Sequence, residues 1–201
     1  MSPDAAFPEV LRQCLAGIVE LSDSQVAALQ KHYELLLRWN RVLNLTTITG
    51  LEEAVERHYG ESLFLGSRLP MGQGLRVVDI GAGPGFPGFP VSVMRPDISL
   101  TLVESHQRKA VFLKEAARGL RNCRVLAVRA EDVVEQFDWA ISRAVSYQDL
   151  GKSIPRLAAE VALLTGSEEP PPEWGLVWEP PIALPWGKGR FLRMTKKACF
   201  T

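Results

Sequence analysis

A chain of 201 residues, 46% hydrophobic and 23% charged, has the size and composition of one folded unit with a filled core and room for a small extra lobe. Its 23 basic residues balance 23 acidic ones, which excludes a bulk polyanion binder held by net charge alone. No apolar run approaches the roughly 18 residues that a membrane helix needs.

The first stretch, MSPDAAFPEVLRQCLAGIVEL, is broken by Asp4, Glu9, Arg12 and Glu20. That pattern does not suit a signal peptide, so a cytoplasmic chain is expected. In LSDSQVAALQKHYELLLRWN, Ser22 and Gln25 form a capping box, and Leu21 can staple onto Val26. Val26, Leu29, Tyr33, Leu36 and Leu37 then recur at helical spacing. A further helix is expected over LEEAVERHYGESLFLGSRL, so residues 1–70 read as a helical cap.

From Leu75 the pattern changes. LRVVDI reads as a strand, a helical stretch follows, SLTLVES is a strand, and HQRKAVFLKEAARGL is a helix with Val111, Leu113, Ala117 and Leu120 apolar. CRVLAVRA and DWAISRAV read as strands, DLGKSIPRLA as a helix and EVALLTG as a strand. Prolines 170–172 mark a loop, and GLVWEPPIAL and RFLRMTKK read as two last strands, the first interrupted at Pro180 and Pro181. Alternating strand and helix imply an α/β fold: a mostly parallel sheet with helices on both faces, expected over residues 71–201 as one compact unit with the cap.

The first strand runs into GAGPGFPGFP, where four glycines and three prolines follow Ile80. A glycine turn between strand and helix lets a ligand approach the backbone closely. Gly83, Gly85 and Gly88 satisfy G-x-G-x-x-G, but the turn begins at Gly81, and in that register Phe86 stands at the third glycine position of a dinucleotide motif. The arrangement from Asp79 through Gly81, Gly83 and Gly85 instead suits S-adenosylmethionine-dependent methyltransferases. Glu104 closes the second strand, where an acid accepts the hydroxyls of a ribose. Dehydrogenases place an acid there too, so Glu104 speaks for a nucleoside and not for one chemistry. Ala130 and Glu131 follow the third strand, as an adenine site or an ordinary strand end.

Charge is uneven. Between residues 105 and 130 stand Arg108, Lys109, Lys114, Arg118, Arg121, Arg124 and Arg129 against Glu115, and the tail adds Lys188, Arg190, Arg193, Lys196 and Lys197. These form either a solvated face or a phosphate-facing surface. Cys14, Cys123 and Cys199 have no C-x-x-C spacing and are expected to be free, mostly buried thiols. His32, His58 and His106 are scattered, so no metal is expected.

The motifs RWNRVLNLTTI, ERHYGESL, VVDIGAGPGFPGFP, RAEDV and ISRAV occur in this order. Together the chain resembles the bacterial small-subunit ribosomal RNA guanine-7-methyltransferases, the glucose-inhibited division protein B family. The resemblance weakens after about residue 164. It implies a helical cap on a Rossmann-like, seven-stranded sheet with an antiparallel final strand. It also implies transfer of a methyl group from S-adenosylmethionine to the 7-nitrogen of a guanine in the 530 loop of 16S ribosomal RNA.

Carried over by position, Gly81, Phe86, Ala130, Glu131 and Arg143 match cofactor positions, alongside Asp79, Gly83 and Glu104 of the turn and strand ends. Arg143 ends the fourth strand, where cofactor and target base meet, and is the candidate catalytic residue; its other reading is a structural arginine paired with an acid. Arg57, His58, Arg108 and Lys109 are candidates for RNA contact. Asn44 also matches, though an asparagine ending a helix reads equally as a cap. Glu61 stands where the family usually has aspartate, and Thr165-Gly166 where it often has lysine-glycine. No obligate protein partner is implied. Two rival classes stay open: a Rossmann oxidoreductase binding NAD, and a non-catalytic RNA-binding or assembly factor that retains a nucleoside pocket.

Overall fold

The computed structural model describes residues 3–195, with side chains from residue 6 onward. Cys199, Lys196 and Lys197, singled out above, lie outside the described residues.

Four helices precede the sheet: α1 (Pro3–Leu15), α2 (Asp23–Leu43), α3 (Leu51–Ala54) and α4 (Glu61–Arg68). The helix α2 starts where its capping box places it: Gln25 N–H donates to Ser22 Oγ, and the Gln25 side chain accepts from Ser22 N–H at 2.9 Å. Such a cap is worth about 1 kcal/mol. It stops at Asn44, whose left-handed backbone (φ 47°) serves as the C-cap. Between α3 and α4 the chain widens into a π-helical turn, Val55–Gly60. This turn brings Arg57, His58 and Glu61 to the sheet end.

The sheet comprises β1 (Arg76–Ile80), β2 (Ser99–Val103), β3 (Cys123–Leu126), β4 (Phe137–Arg143), β5 (Ala158–Thr165), β6 (Ile182–Ala183) and β7 (Phe191–Met194). Its order is β3-β2-β1-β4-β5-β7-β6. The first five strands in that order are parallel, and β7 is antiparallel to both β5 and β6. The order reverses between β1 and β4, so a crevice opens at their carboxyl ends, where open α/β sheets bind ligands. The connections carry α5 (Gly88–Met94), α6 (Gln107–Ala116), α7 (Tyr147–Gly151) and α8 (Ile154–Leu157).

Strand alternation splits the core in two. Val77 of β1 joins an apolar cluster with Phe7, Leu29, Leu36, Tyr59, Phe89 and Phe112, so the N-terminal helices, α5 and α6 cover one face. Val78 and Ile80 join Leu150, Ile154 and Leu157 on the other. Each fully buried large apolar side chain is worth roughly 1.5–3 kcal/mol. Among the described residues no helix is long and apolar enough to cross a membrane.

Four details differ from the sequence reading. Val111 is 54% exposed, because α6 turns Ala110, Phe112 and Leu113 inward instead. The third strand ends at Leu126 rather than continuing to residue 130. The single helix expected after β4 is two short ones, because Pro155 has no N–H to donate and stands in the first turn of α8 instead of continuing α7. Of GLVWEPPIAL, only Ile182–Ala183 pairs as a strand, apart from a lone bridge from Trp178 to Thr195.

Candidate cofactor and substrate site

The glycine turn is built from its contacts. Gly81, Gly83 and Gly85 all have positive φ, at 71°, 55° and 101°. At Gly81 a Cβ would lie 2.5 Å from Val145 Cγ2, and at Gly85 3.0 Å from Phe89 Cβ and 3.2 Å from His32 Nε2, so these two glycines are required by packing. Gly83 differs: a Cβ there would meet only the Gly81 carbonyl oxygen at 3.8 Å. Its face is bare toward a cavity of about 250 Å3, lined in part by Phe86, Glu104, Lys109 and Arg143.

Two acids hold the turn from below, and they differ. Glu104, only 7% exposed, accepts from Gly83 N–H at 2.9 Å through one oxygen and from His106 N–H at 2.7 Å through the other. It lines the cavity, and each oxygen keeps a second lone pair for a ligand. Asp79, expected beside the ligand, is fully buried and lines none of the cavities around the turn. Its Oδ2 accepts from Gly88 N–H at 2.8 Å, and its Oδ1 has no hydrogen-bond partner. Burial pushes its carboxyl up to about 7; the Gly88 N–H opposes this and the Glu104 charge adds to it. Asp79 therefore shapes the turn and does not face its cavity.

A second support comes from a residue to which the sequence reading gave no role. His32 of α2 contacts the Pro84 carbonyl through Nε2 (3.0 Å) and the Tyr59 hydroxyl through Nδ1 (2.8 Å). A carbonyl only accepts, so Nε2 carries the proton and Nδ1 accepts from Tyr59. Burial pulls His32 down to about 4, and it is neutral at pH 7. Its ring stacks on Phe89 with centroids 4.2 Å apart. No local motif marks this residue; helical register alone points it inward.

On the opposite wall, Arg143 donates to the Arg57 carbonyl and approaches His58 Nδ1 at 3.1 Å. Its Nε lies 3.9 Å from Glu61. Burial lowers Arg143 to about 10, with Glu61 pulling the other way, so it remains a cation. His58 receives this donor on Nδ1, so its Nε2–H donates to Thr46 Oγ1 at 2.9 Å. Its ring stacks on Phe86 at 4.4 Å. Burial, then Arg143, bring His58 down to about 3. Expected as an RNA contact, it is 5% exposed and neutral, and works as a wall of the cavity. Ala144, the next residue, has φ 57°, an uncommon left-handed conformation for alanine.

Ala130 and Glu131 line a second cavity of about 260 Å3, which shares Gly81 with the first. Arg156 of α8 fixes this loop by donating to the Ala130 carbonyl at 3.1 Å, the Glu131 carbonyl at 3.0 Å and the Val133 carbonyl. Arg108 and Lys109 line different cavities. Lys109 lines the cavity above Gly83, whereas Arg108 lines an apolar groove with Trp39, Val42 and Val111.

A family model described as rRNA small subunit methyltransferase G matches residues 25–157. The ribosomal RNA small subunit methyltransferase G of Pelotomaculum thermopropionicum is 37% identical over 150 residues, covering 74% of this chain and 59% of that protein. Its counterpart in Xylella fastidiosa strain M23 is 39% identical over 154 residues, covering 75% and 68%. This chain thus spans less than two thirds of the length of the first relative. Among solved structures, a SAM dependent methyltransferase from Aquifex aeolicus superposes with a TM-score of 0.55 at 18% identity, over 71% of this chain and 92% of that one. The ribosomal protein L11 methylase of Lactobacillus delbrueckii subsp. bulgaricus also gives 0.55, at 15% identity, over 69% and 78%. At such identities the likeness is one of fold.

Proposed function

Since the chain belongs to the rRNA small subunit methyltransferase G family, we propose that it methylates the 7-nitrogen of a guanine in the 530 loop of 16S ribosomal RNA, with S-adenosylmethionine as the donor. The observation that carries this reading is the bare face of Gly83, held from below by Glu104 and opening onto Phe86 and Arg143. A side chain at Gly83 would fill space that nothing in the protein occupies.

The residues present fit the cofactor. Gly81, Gly83 and Phe86 would pass along its length, Glu104 would accept its ribose hydroxyls, and Ala130 and Glu131 would flank its adenine in the adjoining cavity. Asp79 would act through the turn it holds. Bound there, S-adenosylmethionine supplies a methyl group on a sulfonium that carries its own leaving group.

The guanine 7-nitrogen has an exposed lone pair and no proton, so the protein needs no general base. His58, neutral and already bonded on both ring nitrogens, is not required as one. The protein's work is alignment. Arg143, anchored on the Arg57 carbonyl and reaching the cavity wall, is placed to orient the base or to meet charge on its carbonyl oxygen. Lys109, Arg57 and Arg108 would contact RNA, each from a different cavity wall. Residues 1–70 would form the cap and residues 71–201 the catalytic unit; the apolar cluster shared by Phe7, Leu36 and Leu100 supports reading them as one body. A ribosomal RNA substrate would place the protein in the cytoplasm.

The test is transfer of labelled methyl from S-adenosylmethionine to 16S ribosomal RNA, offered free or in small subunits, with the product guanine identified by mass spectrometry. Label at the 7-position is expected. RNA binding without any transfer would favour a non-catalytic assembly factor instead.

A further inference from the structure

A third cavity of about 410 Å3 opens beside the first and shares Arg143 and Ala144 with it. Its wall holds Arg57, Arg143 and Arg190, drawn from the π-helical turn, the end of β4 and the loop before β7. All three converge on one carboxylate, Glu61, whose side chain is fully buried. Arg190 grips it with a two-pronged bond, Nε to Oε1 and Nη2 to Oε2, both at 2.6 Å. Arg57 Nε stands 3.7 Å from Oε1 and Arg143 Nε 3.9 Å from Oε2.

One buried carboxylate does not neutralise three guanidiniums. Glu53 pairs with Arg57 Nη1 at 3.6 Å, but it and Glu168 are exposed, and water screens both. Donors also remain unused. Arg57 Nε is buried without a hydrogen-bond partner. Among the described residues neither Arg190 Nη1 nor Arg143 Nη2 has an acceptor. Of these three donors only Arg57 Nε is buried, and a buried cationic donor left without a hydrogen bond is costly; an arginine fork matches the oxygens of a phosphate. The cavity is large enough for a nucleotide, and its wall also carries Ser146, Thr165 and Ser167.

We propose that Arg190, Arg57 and Arg143, organised by Glu61, bind a backbone phosphate of the RNA beside the target guanine. This rests on the RNA-methyltransferase reading above and adds a substrate-phosphate site to it. A base entering the first cavity past Arg143 leaves its own phosphate over the third. The four residues come from positions 57–61, 143 and 190, so no linear motif displays the cluster.

The full chain, saturated with S-adenosylhomocysteine, is titrated by calorimetry with guanosine 5′-monophosphate, guanosine and inorganic phosphate. The parent should bind the monophosphate about tenfold or more tighter than guanosine, the worth of one charge-assisted contact. Inorganic phosphate should bind more weakly than the monophosphate. Arg190→Ala should remove the preference. Arg190→Lys, which keeps a cation against Glu61 but loses the fork, should largely remove it while leaving guanosine and S-adenosylhomocysteine affinities unchanged. A parent that binds S-adenosylhomocysteine yet does not prefer the monophosphate overturns the phosphate site alone, as do variants that keep the preference. Inorganic phosphate binding as tightly as the monophosphate would make this a free-anion site and overturn its assignment to RNA. A parent that binds no S-adenosylhomocysteine refutes the methyltransferase reading itself.

Discussion

Replacing Glu104 by glutamine changes one atom and tests the floor of the cofactor site. Both carboxylate oxygens accept backbone N–H groups, from Gly83 at 2.9 Å and from His106 at 2.7 Å. An amide has one acceptor oxygen, so its NH2 must face one of these donors. One charge-assisted bond is lost and the other is weakened, for a cost of about 2–4 kcal/mol. In a chain of 201 residues, that corresponds to a Tm lowered by about 5–12 °C. The same change removes the charge expected to bind a ribose and loosens Gly83, so S-adenosylmethionine affinity should fall about tenfold or more. Scanning calorimetry reads the first effect and titration calorimetry on the folded variant the second. Glu104→Asp, which keeps the charge but is too short to span both donors, should lose stability while retaining more affinity than the glutamine variant. An unchanged Tm with Glu104→Gln would refute the double-acceptor role. Unchanged affinity would remove Glu104 from the ligand site.

Asp79 holds its proton to about pH 7 in the folded chain, well above an unfolded carboxylate, so its contribution to stability is greatest at low pH and is lost as pH rises from about 4 to about 7. Asp79→Asn has no such titration; the Tm of the variant minus that of the parent should rise between about pH 4 and pH 7, and a flat difference would show an ordinary carboxylate. His32 and His58 titrate in both proteins and largely cancel in that comparison. Gly88→Ala should destabilise by about 1–3 kcal/mol or more, since its Cβ would lie 2.4 Å from Leu102 Cδ2 and 2.6 Å from Asp79 Oδ2. Gly83→Ala should cost only about 1–2 kcal/mol of backbone strain yet weaken cofactor binding far more than that loss of stability explains; calorimetry showing equal effects on binding and stability would remove the ligand from its face. Arg143→Lys should stay folded and lower kcat and kcat/KM for 16S ribosomal RNA methylation together, by about tenfold or more; turnover at the parent rate would leave Arg143 with its structural bonds only.

The fold was legible because local signals agreed. The capping box at Ser22 and Gln25, the strand-turn-helix at Asp79–Gly88 and the alternation that follows depend on neighbours in sequence, and the structure has them where those patterns lie. The structure departs from the sequence pattern where the deciding partner is remote or a local breaker interrupts a helix. Val111 carries an apolar side chain at a helical position, but α6 buries Ala110, Phe112 and Leu113, with Phe112 packed against Trp39 and His32. Pro155 was present in the sequence as a reason to break the helix there.

The chain order of residues identified the glycine turn and the acid after β2, because a backbone that must meet a ligand requires glycine where it does so. It did not reveal which glycine is open and which is packed: Gly83 faces space, while Gly88 is pressed against Asp79 and Leu102. Nor did it separate the two acids, one on the cavity and one beneath the turn, since both read as strand-end carboxylates. His32 supporting Pro84, Arg156 clasping the loop at Ala130, and Arg190 closing on Glu61 join residues 52, 26 and 129 positions apart. Pairings of that separation follow from the packing of helices onto the sheet, and no pattern within one segment encodes them.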